Sequence, residues 1–372
     1  MVDEAHNILA ITEELSFHQG TIERVLEELG TVAPEATALK RYIESLPQQL
    51  GANAVHIDEE AAVMAESIIY HGNKVRRALA EKGLRPRSSL HRLGQALRLA
   101  CMRAPNIVVE GRFMVVKVEE PPLPSLPTVF LSGTVTAHDA KLLKAQYLDF
   151  SSYSDYEADT IIVSDLTSLY EERGEEMYKR YAQLLQALSK NPAVAFTASY
   201  KLLKGILDVD PTVKAFVERE DMTSSQVESL AESWRLAAEH GKALYLGVCG
   251  GRSSEGVDFK EAQIIAILGV PFAEPEDLAT EALRQYYERR FVEEDSSDPQ
   301  RRAELYAVVL PALRKVAQAI GRAFREPGKQ ASVILADRRF KRLLNLLPRW
   351  ITRQIRYVKL KELLRELSTI KV

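Results

Sequence analysis

Cysteine is nearly absent: 372 residues carry only Cys101 and Cys249. Two distant thiols exclude a disulfide framework and a four-cysteine metal site, and they fit a reducing compartment, with the cytoplasm as the expected location. No long uncharged apolar run occurs, so no membrane-spanning helix is expected. The first residues have no basic segment followed by an apolar one, so no signal peptide is expected there. Excess positive charge is also missing. The net charge is −3, so contact with nucleic acid must come from a local basic surface. The phosphate-cradling sequence G-x-x-x-x-G-K-[ST] does not occur. The two Gly-Lys pairs, at 241–242 and 328–329, are followed by Ala and Gln, with no Gly five residues earlier. The histidines other than His6 form no metal-ligand spacing, and there is no internal repeat or low-complexity tract.

What is present suffices for two or three domains. The apolar fraction is 46%, enough for sizeable cores. Residues 8–104 read as mostly helical. Ile22, Val25, Leu26 and Leu29 recur at helical spacing, with Gly30 as the expected stop. A second helix is expected between Asp58 as N-cap and Gly83 as stop, and a third carries Leu90, Leu93, Leu97 and Ala100 on its apolar side. From residue 106 the texture changes to β-branched runs, a proline-rich link from Pro121 to Pro127, and the strand "PTVFL". From about residue 150, "PAVAFTAS", "KALYLGVCGG", "AQIIAILGVP" and "ASVILADRRF" read as short buried strands, most followed by helices. That pattern predicts an α/β fold with a parallel sheet. The stretch from 274 to 310 is charged and helical, and helices are expected to close the chain from residue 341.

Four short segments carry candidate chemistry. Asp3-Glu4-Ala5-His6 has the acidic pair that in ATP motors holds Mg2+ and polarises the attacking water; acidic residues at a helix start are the plain alternative. Ser132-Gly133-Thr134 follows a strand, where small hydroxyl residues bond a carboxylate or simply turn the chain. In "GGRSSEGVDF", residues 250–259, glycines permit close backbone approach. Ser253 and Ser254 suit phosphate or sugar, and Glu255 and Asp258 suit an arginine or a ribose; a structural glycine-rich turn remains open. In "QAIGRAFR", residues 318–325, a helix puts Gln318, Gly321, Arg322 and Arg325 on one face. Paired guanidinium forks there suit a triphosphate, and a solvated basic face is the alternative.

Taken in order, these segments resemble motifs II, III, V and VI of superfamily 2 helicases. With the long helical insert after DEAH, the SEGxDF form, "LADRRF" at 335–340 and "LPRW" at 347–350, the chain looks like the XPD family of DNA helicases in an archaeal-type short form. "NPAVAFTASYKLL" resembles that family's motif IV, and "VKAFVERED" the strand after it.

The resemblance implies a RecA-like parallel sheet of the P-loop NTPase type as a second motor domain at 151–372. It implies an inserted helical arch domain at 8–105, and a remnant of the first motor domain at 1–7 and 106–150. It implies ATP-dependent 5′→3′ movement on single-stranded DNA, in DNA repair, by a motor that is monomeric at full length and has no membrane role. Asp3 and Glu4 would serve Mg2+ and water. His6 and Gln318 would link nucleotide state to the domain interface, and Arg322 and Arg325 would act as arginine fingers. Gly256, Asp258 and Gly321 would border the nucleotide. Ser132, Gly133, Thr134, Ser199, Tyr200, Arg252, Ser253, Ser254 and Glu255 would contact DNA or couple hydrolysis to it.

The sequence departs from the family's pattern in its missing phosphate loop and missing cysteine quartet. The expectation is a C-terminal part starting at motif II. The upstream half of motor domain 1 would complete it and would hold the iron–sulfur cluster. A non-catalytic DNA-binding fragment is the rival expectation. The remnant strands are expected to expose edges and an apolar face. Two basic stretches, at 73–98 and 338–361, are solvated faces or a strand channel. Tyr200 and Trp350 are core residues or base-stacking platforms.

Overall fold

The computed structural model describes residues 1–5, 9, 11–17, 19–51, 59–101, 106–109, 112–119, 125–150, 155–274, 277–294 and 296–369. His6 and Asp58 lie outside the described residues. In chain order the first elements are β1 (Ile11–Phe17), α1 (Gln19–Val32), α2 (Thr37–Gly51), α3 (Glu59–Glu81), α4 (Ser89–Cys101), β2 (Asn106–Val109) and β3 (Arg112–Glu119). Then come α5 (Ala137–Leu142), β4 (Glu157–Val163), α6 (Glu175–Leu188), β5 (Pro192–Thr197), α7 (Tyr200–Val209), β6 (Phe216–Val217), α8 (Ser224–Ala238), β7 (Ala243–Val248), α9 (Arg252–Gly256) and β8 (Ile264–Leu268). The last are α10 (Leu278–Glu293), α11 (Pro299–Glu304), α12 (Leu310–Gly321), β9 (Gln330–Ala336), α13 (Arg349–Thr352), β10 (Gln354–Val358) and α14 (Leu360–Thr369).

The chain divides into two compact units. The first comprises 1–6, 123–274 and 304–372, and the second comprises 7–122 and 275–303. The second unit is a helical cluster with a small sheet. Ile22, Val25 and Leu29 of α1, Ile43 of α2, Ala65 and Ile68 of α3, and Leu90, Leu93 and Leu97 of α4 form its core, as the helical spacing requires. Gly83, at φ +70°, follows α3 as expected. Gly30 does not stop α1, which runs on to Val32.

The helical reading fails at Ile11–Phe17, which is a strand paired antiparallel with β3; β2 flanks β3 on its other side. That stretch alternates with period two, and its partner lies about a hundred residues downstream, so a distant pairing overrides local propensity. This pairing draws 106–122 into the helical unit, and 275–303 joins it, whereas the expected boundary stood at 105.

The first unit holds a seven-stranded, all-parallel sheet in the order β10-β4-β9-β8-β5-β7-β6. β5, β7 and β8 are buried along their whole length, which explains their unbroken apolar sequences. Successive residues feed two cores. Phe196, Tyr245, Ile265 and Val333 face Trp234, Phe259 and Phe324. Ala195, Leu246, Ala266 and Ile334 face Tyr181, Leu185 and Leu203. Residues 341–372 are not purely helical, because β10 adds a parallel edge strand beside β4.

"PTVFL" is not a buried strand. Only the parallel bridge Val2↔Phe130 forms, and Val129 and Leu131 are 62% and 42% exposed.

Candidate functional site

Ser199, Tyr200 and Arg252–Glu255 lie just past the C-terminal ends of β5 and β7, where parallel α/β sheets present ligand sites. Ser199 caps α7, its side chain accepting from the Leu202 amide at 3.2 Å. Tyr200 Oη donates to Glu218 Oε1 at 2.8 Å. Glu218, fully buried just past β6, is the hub of the site. It also accepts from the Arg252 amide at 3.0 Å, from the Ser253 amide at 3.4 Å, and from Ser253 Oγ. A buried carboxylate needs donors of this kind, and these four supply them. Burial and the Glu218 carboxylate together raise the Tyr200 hydroxyl far above its ordinary value.

Gly251 is required here. A Cβ would lie 2.9 Å from Glu218 Oε1 and 3.2 Å from Tyr200 Oη. Sequence reasoning missed Glu218; the signal was an acidic residue closing the apolar run "AFVE".

Ser253 and Ser254 are both fully buried. Ser254 Oγ accepts from the Gly250 amide at 2.8 Å and donates to the Gly251 carbonyl at 2.9 Å. These hydroxyls shape the turn from inside, and Arg252 is anchored by donating from Nη1 to the Glu220 carbonyl at 3.2 Å.

The helix expected over 318–325 ends early. α12 stops at Gly321, Arg322 is its C-cap, and Ala323 and Phe324 turn into the core. Phe324 packs on Tyr156 and on half-buried Trp350, which packs against the core. The early stop aims both arginines at Asp258. Arg325 Nε lies 3.0 Å and Arg322 Nη1 3.5 Å from Asp258 Oδ1. Arg322 also donates from Nε to the Ser254 carbonyl at 3.0 Å and from Nη2 to the Glu255 carbonyl. Of the roles open to Asp258, holding arginines is the one the geometry supports. Burial, and then the Arg325 charge, lowers the Arg322 guanidinium. A Cβ at Gly321, Gly256 or Gly133 would meet open space. Gln318 is half-buried on α12.

Asp3 and Glu4 are exposed; the Glu4 amide donates to Asp3 Oδ1 at 2.9 Å, and Glu4 has φ +49°. The Ala5 amide bonds the Leu131 carbonyl at 3.0 Å, so the acidic pair runs beside Ser132-Gly133-Thr134. There Ser132 Oγ accepts from the Thr134 amide at 3.1 Å. Asp139, fully buried, caps α5 and pairs with Arg314 of α12. Tyr306 Oη donates to the His138 carbonyl at 2.9 Å. Among the described residues no cluster of three metal-ligating side chains occurs.

The second basic stretch borders a cavity of about 400 Å³ lined by Arg338, Arg339, Lys341, Arg342 and Tyr357. Buried Asp337, which precedes these arginines, accepts from the Ser168 amide at 2.9 Å and from Arg339 Nη2 at 2.7 Å.

Residues 182–354 match the family described as the helicase C-terminal domain. That segment, which carries β5 to β9 of the parallel sheet, is similar to a helicase C-terminal domain. The ATP-dependent DNA helicase XPD of Sulfolobus acidocaldarius is 29% identical over 187 residues, 48% of this chain and 31% of that protein. The ATP-dependent DNA helicase chl1 of Schizosaccharomyces pombe is 30% identical over 145 residues, 38% of this chain and 17% of that protein. A solved structure of S. tokodaii Xpd4 superposes with TM-score 0.67 at 18% identity, covering 96% of this chain and 74% of that one. An XPD helicase structure gives 0.65 at 20% identity, covering 96% and 68%. The chain is XPD-like in sequence and fold, and the matched segments make up less than a third of these two curated relatives.

Proposed function

We propose that this chain is the C-terminal part of an ATP-dependent DNA helicase, a remnant of motor domain 1 with the arch and the second motor domain, and that the whole motor couples ATP hydrolysis to 5′→3′ movement on single-stranded DNA, with a role in DNA repair. The carrying observation is the junction in which Asp258 takes both Arg322 and Arg325, while Glu218 ties Tyr200 to Arg252 and Ser253. Hydrogen bonds thus link the residues proposed to face DNA to those proposed to face a nucleotide, which is what coupling requires. In this reading Asp3 serves Mg2+, Glu4 the attacking water, and His6 and Gln318 the domain interface. Gly256 and Gly321 leave room beside the nucleotide. Ser132, Gly133 and Thr134 relay to DNA.

The chain alone does not fit ATP. Asp3 bonds the next amide, Arg322 and Arg325 are satisfied by Asp258 and main-chain carbonyls, and no phosphate-loop sequence is present. The reading assigns the cradle to an upstream half of motor domain 1, and exposed Val129 and Leu131 suit such a partner surface. Nor do the cysteines fit an iron–sulfur cluster. Cys101 and Cys249 are two, and burial pushes the Cys249 thiol up to about 12.

A second reading, a DNA-binding module with no turnover of its own, is favoured by the missing phosphate loop. Both readings require single-stranded DNA at the C-terminal ends of β5 and β7. Oligonucleotide binding by the whole chain should weaken in Arg252→Ala and Tyr200→Ala. Unchanged affinity in both variants, with folding intact, would contradict both readings.

A further inference from the structure

Glycine-rich turns that follow a strand commonly take phosphate through main-chain N–H groups. In the turn from Cys249 to Ser253, just past β7, those groups are spent inside the chain. The Cys249 amide donates to the Thr197 carbonyl and the Gly251 amide to the Val248 carbonyl, each at 2.9 Å. The Gly250 amide donates to Ser254 Oγ at 2.8 Å, and the Arg252 and Ser253 amides donate to Glu218 at 3.0 and 3.4 Å. The two serine hydroxyls donate to Glu218 and to the Gly251 carbonyl. A phosphate reaching this turn therefore meets side-chain charge instead of main-chain donors.

Two elements supply that charge. Arg252 opens α9, with one guanidinium nitrogen already on the Glu220 carbonyl. Lys315 comes from α12. Gly250 has φ +78°, a conformation that favours glycine, and the Lys315 stem lies across its bare backbone. A Cβ there would stand 3.1 Å from Lys315 Cδ and 3.2 Å from Cε. The charge of Lys315 reaches Cys249, where it opposes the effect of burial on the thiol. The other basic side chains nearby on this side of the sheet are paired: Arg314 with Asp139, and Arg322 and Arg325 with Asp258. Lys315 is exposed, and among the described residues its ammonium has no hydrogen-bond or ion-pair partner. An ammonium whose stem is held in place and whose charge is unmatched suits a phosphate oxygen, which lysine binds as a point charge.

We propose that Lys315 takes a backbone phosphate of the single strand at this turn, so that recognition here is made by side-chain charge and not by the main chain of the glycines. This rests on the strand contact proposed above and adds to it a residue outside the four motif segments. A strand phosphate is favoured over a free nucleotide because Lys315 lies at the Gly250 end of the turn, on the side of Arg252 and Tyr200, while Asp258 and its two arginines lie at the other end of α9.

The test titrates the whole chain with a labelled single strand of about 20 nucleotides across a salt series. Lys315→Gln should flatten the slope of log affinity against log salt by about 0.7, the share of one phosphate contact on a single strand. Lys315→Arg keeps the charge and should leave the slope as it is. Lys242→Gln, at an exposed lysine before the opposite end of β7, should also leave it unchanged. An unaltered slope in Lys315→Gln would overturn the proposal, and so would an equal flattening in Lys315→Arg or in Lys242→Gln. Loss of ATP or inorganic phosphate binding in Lys315→Gln, with the strand slope intact, would assign the lysine to a small phosphorylated ligand and overturn it too. Tyr200→Ala and Arg252→Ala belong in the same titration. If they weaken binding while Lys315→Gln changes nothing, the strand site stands and the lysine has no part in it. If all three change nothing, no strand binds at this turn, and the function proposed above fails with the inference.

Discussion

Two regions of the first unit carry the same kind of motif, a short strand ending in small and charged residues, and they differ in completeness. At 250–258 with 322–325, charged groups are met inside the chain: Asp258 by two arginines, and Glu218 by two hydroxyls and two amides. At 1–5 with 125–134, one bridge carries the pairing, Glu4 stands in the left-handed region, and Val129 and Leu131 face outward. A parallel strand becomes a structural element when both edges and both faces are covered. The first region has that cover, and the second has its chemistry set out without it.

Perturbing each region should widen the contrast. Phe259 sits among Phe196, Trp234 and Tyr245, so Phe259→Ala should lower the unfolding free energy by about 4 kcal/mol in urea titrations. Val129→Ala should change it by less than about 0.5 kcal/mol. Equal losses would erase the distinction. Next in size, Glu218→Ala strips buried donors of their acceptor and should lose about 3 kcal/mol. Glu218→Gln should lose less, because an acceptor oxygen remains. Asp258→Ala should lose under about 1 kcal/mol, since Asp258 and Arg325 are both over 40% exposed.

The smallest effect belongs to the helical unit. Burial, and then Arg76, lowers His91; burial, and then Lys74, lowers His71. The folded state therefore binds fewer protons than the unfolded one. Stability should fall as pH drops through about 6.5, and thermal melts between about pH 8 and pH 5.5 would read this. A rise in melting temperature on acidification would contradict it.

How much the sequence disclosed follows from where stabilisation is local. β5, β7 and β8 were legible because central parallel strands are apolar throughout, and the helices that pack by their own stripes were legible by spacing. β4 and β10 were hidden. β4 opens on Glu-Ala-Asp-Thr, and its buried Thr160 is satisfied only by the Ile351 carbonyl, far along the chain. β10 is a polar edge. β1 was mistaken for helix because its partner is distant. Among site residues, those inside glycine-rich or arginine-paired motifs stood out. Glu218 did not, since a lone acid after a two-residue strand gains meaning only when Tyr200 and Ser253 are folded onto it. The early stop of α12 was equally invisible, because Ala323 and Phe324 leave the helix for contacts made elsewhere.

The most direct test of the account is ATP turnover by the purified 372-residue chain, with and without single-stranded DNA, beside a Glu4→Gln variant. The account predicts no turnover above that variant in either condition, since the cradle for the phosphates is assigned elsewhere. DNA-stimulated turnover that Glu4→Gln abolishes would mean that groups within this chain hold the phosphates, and would contradict it.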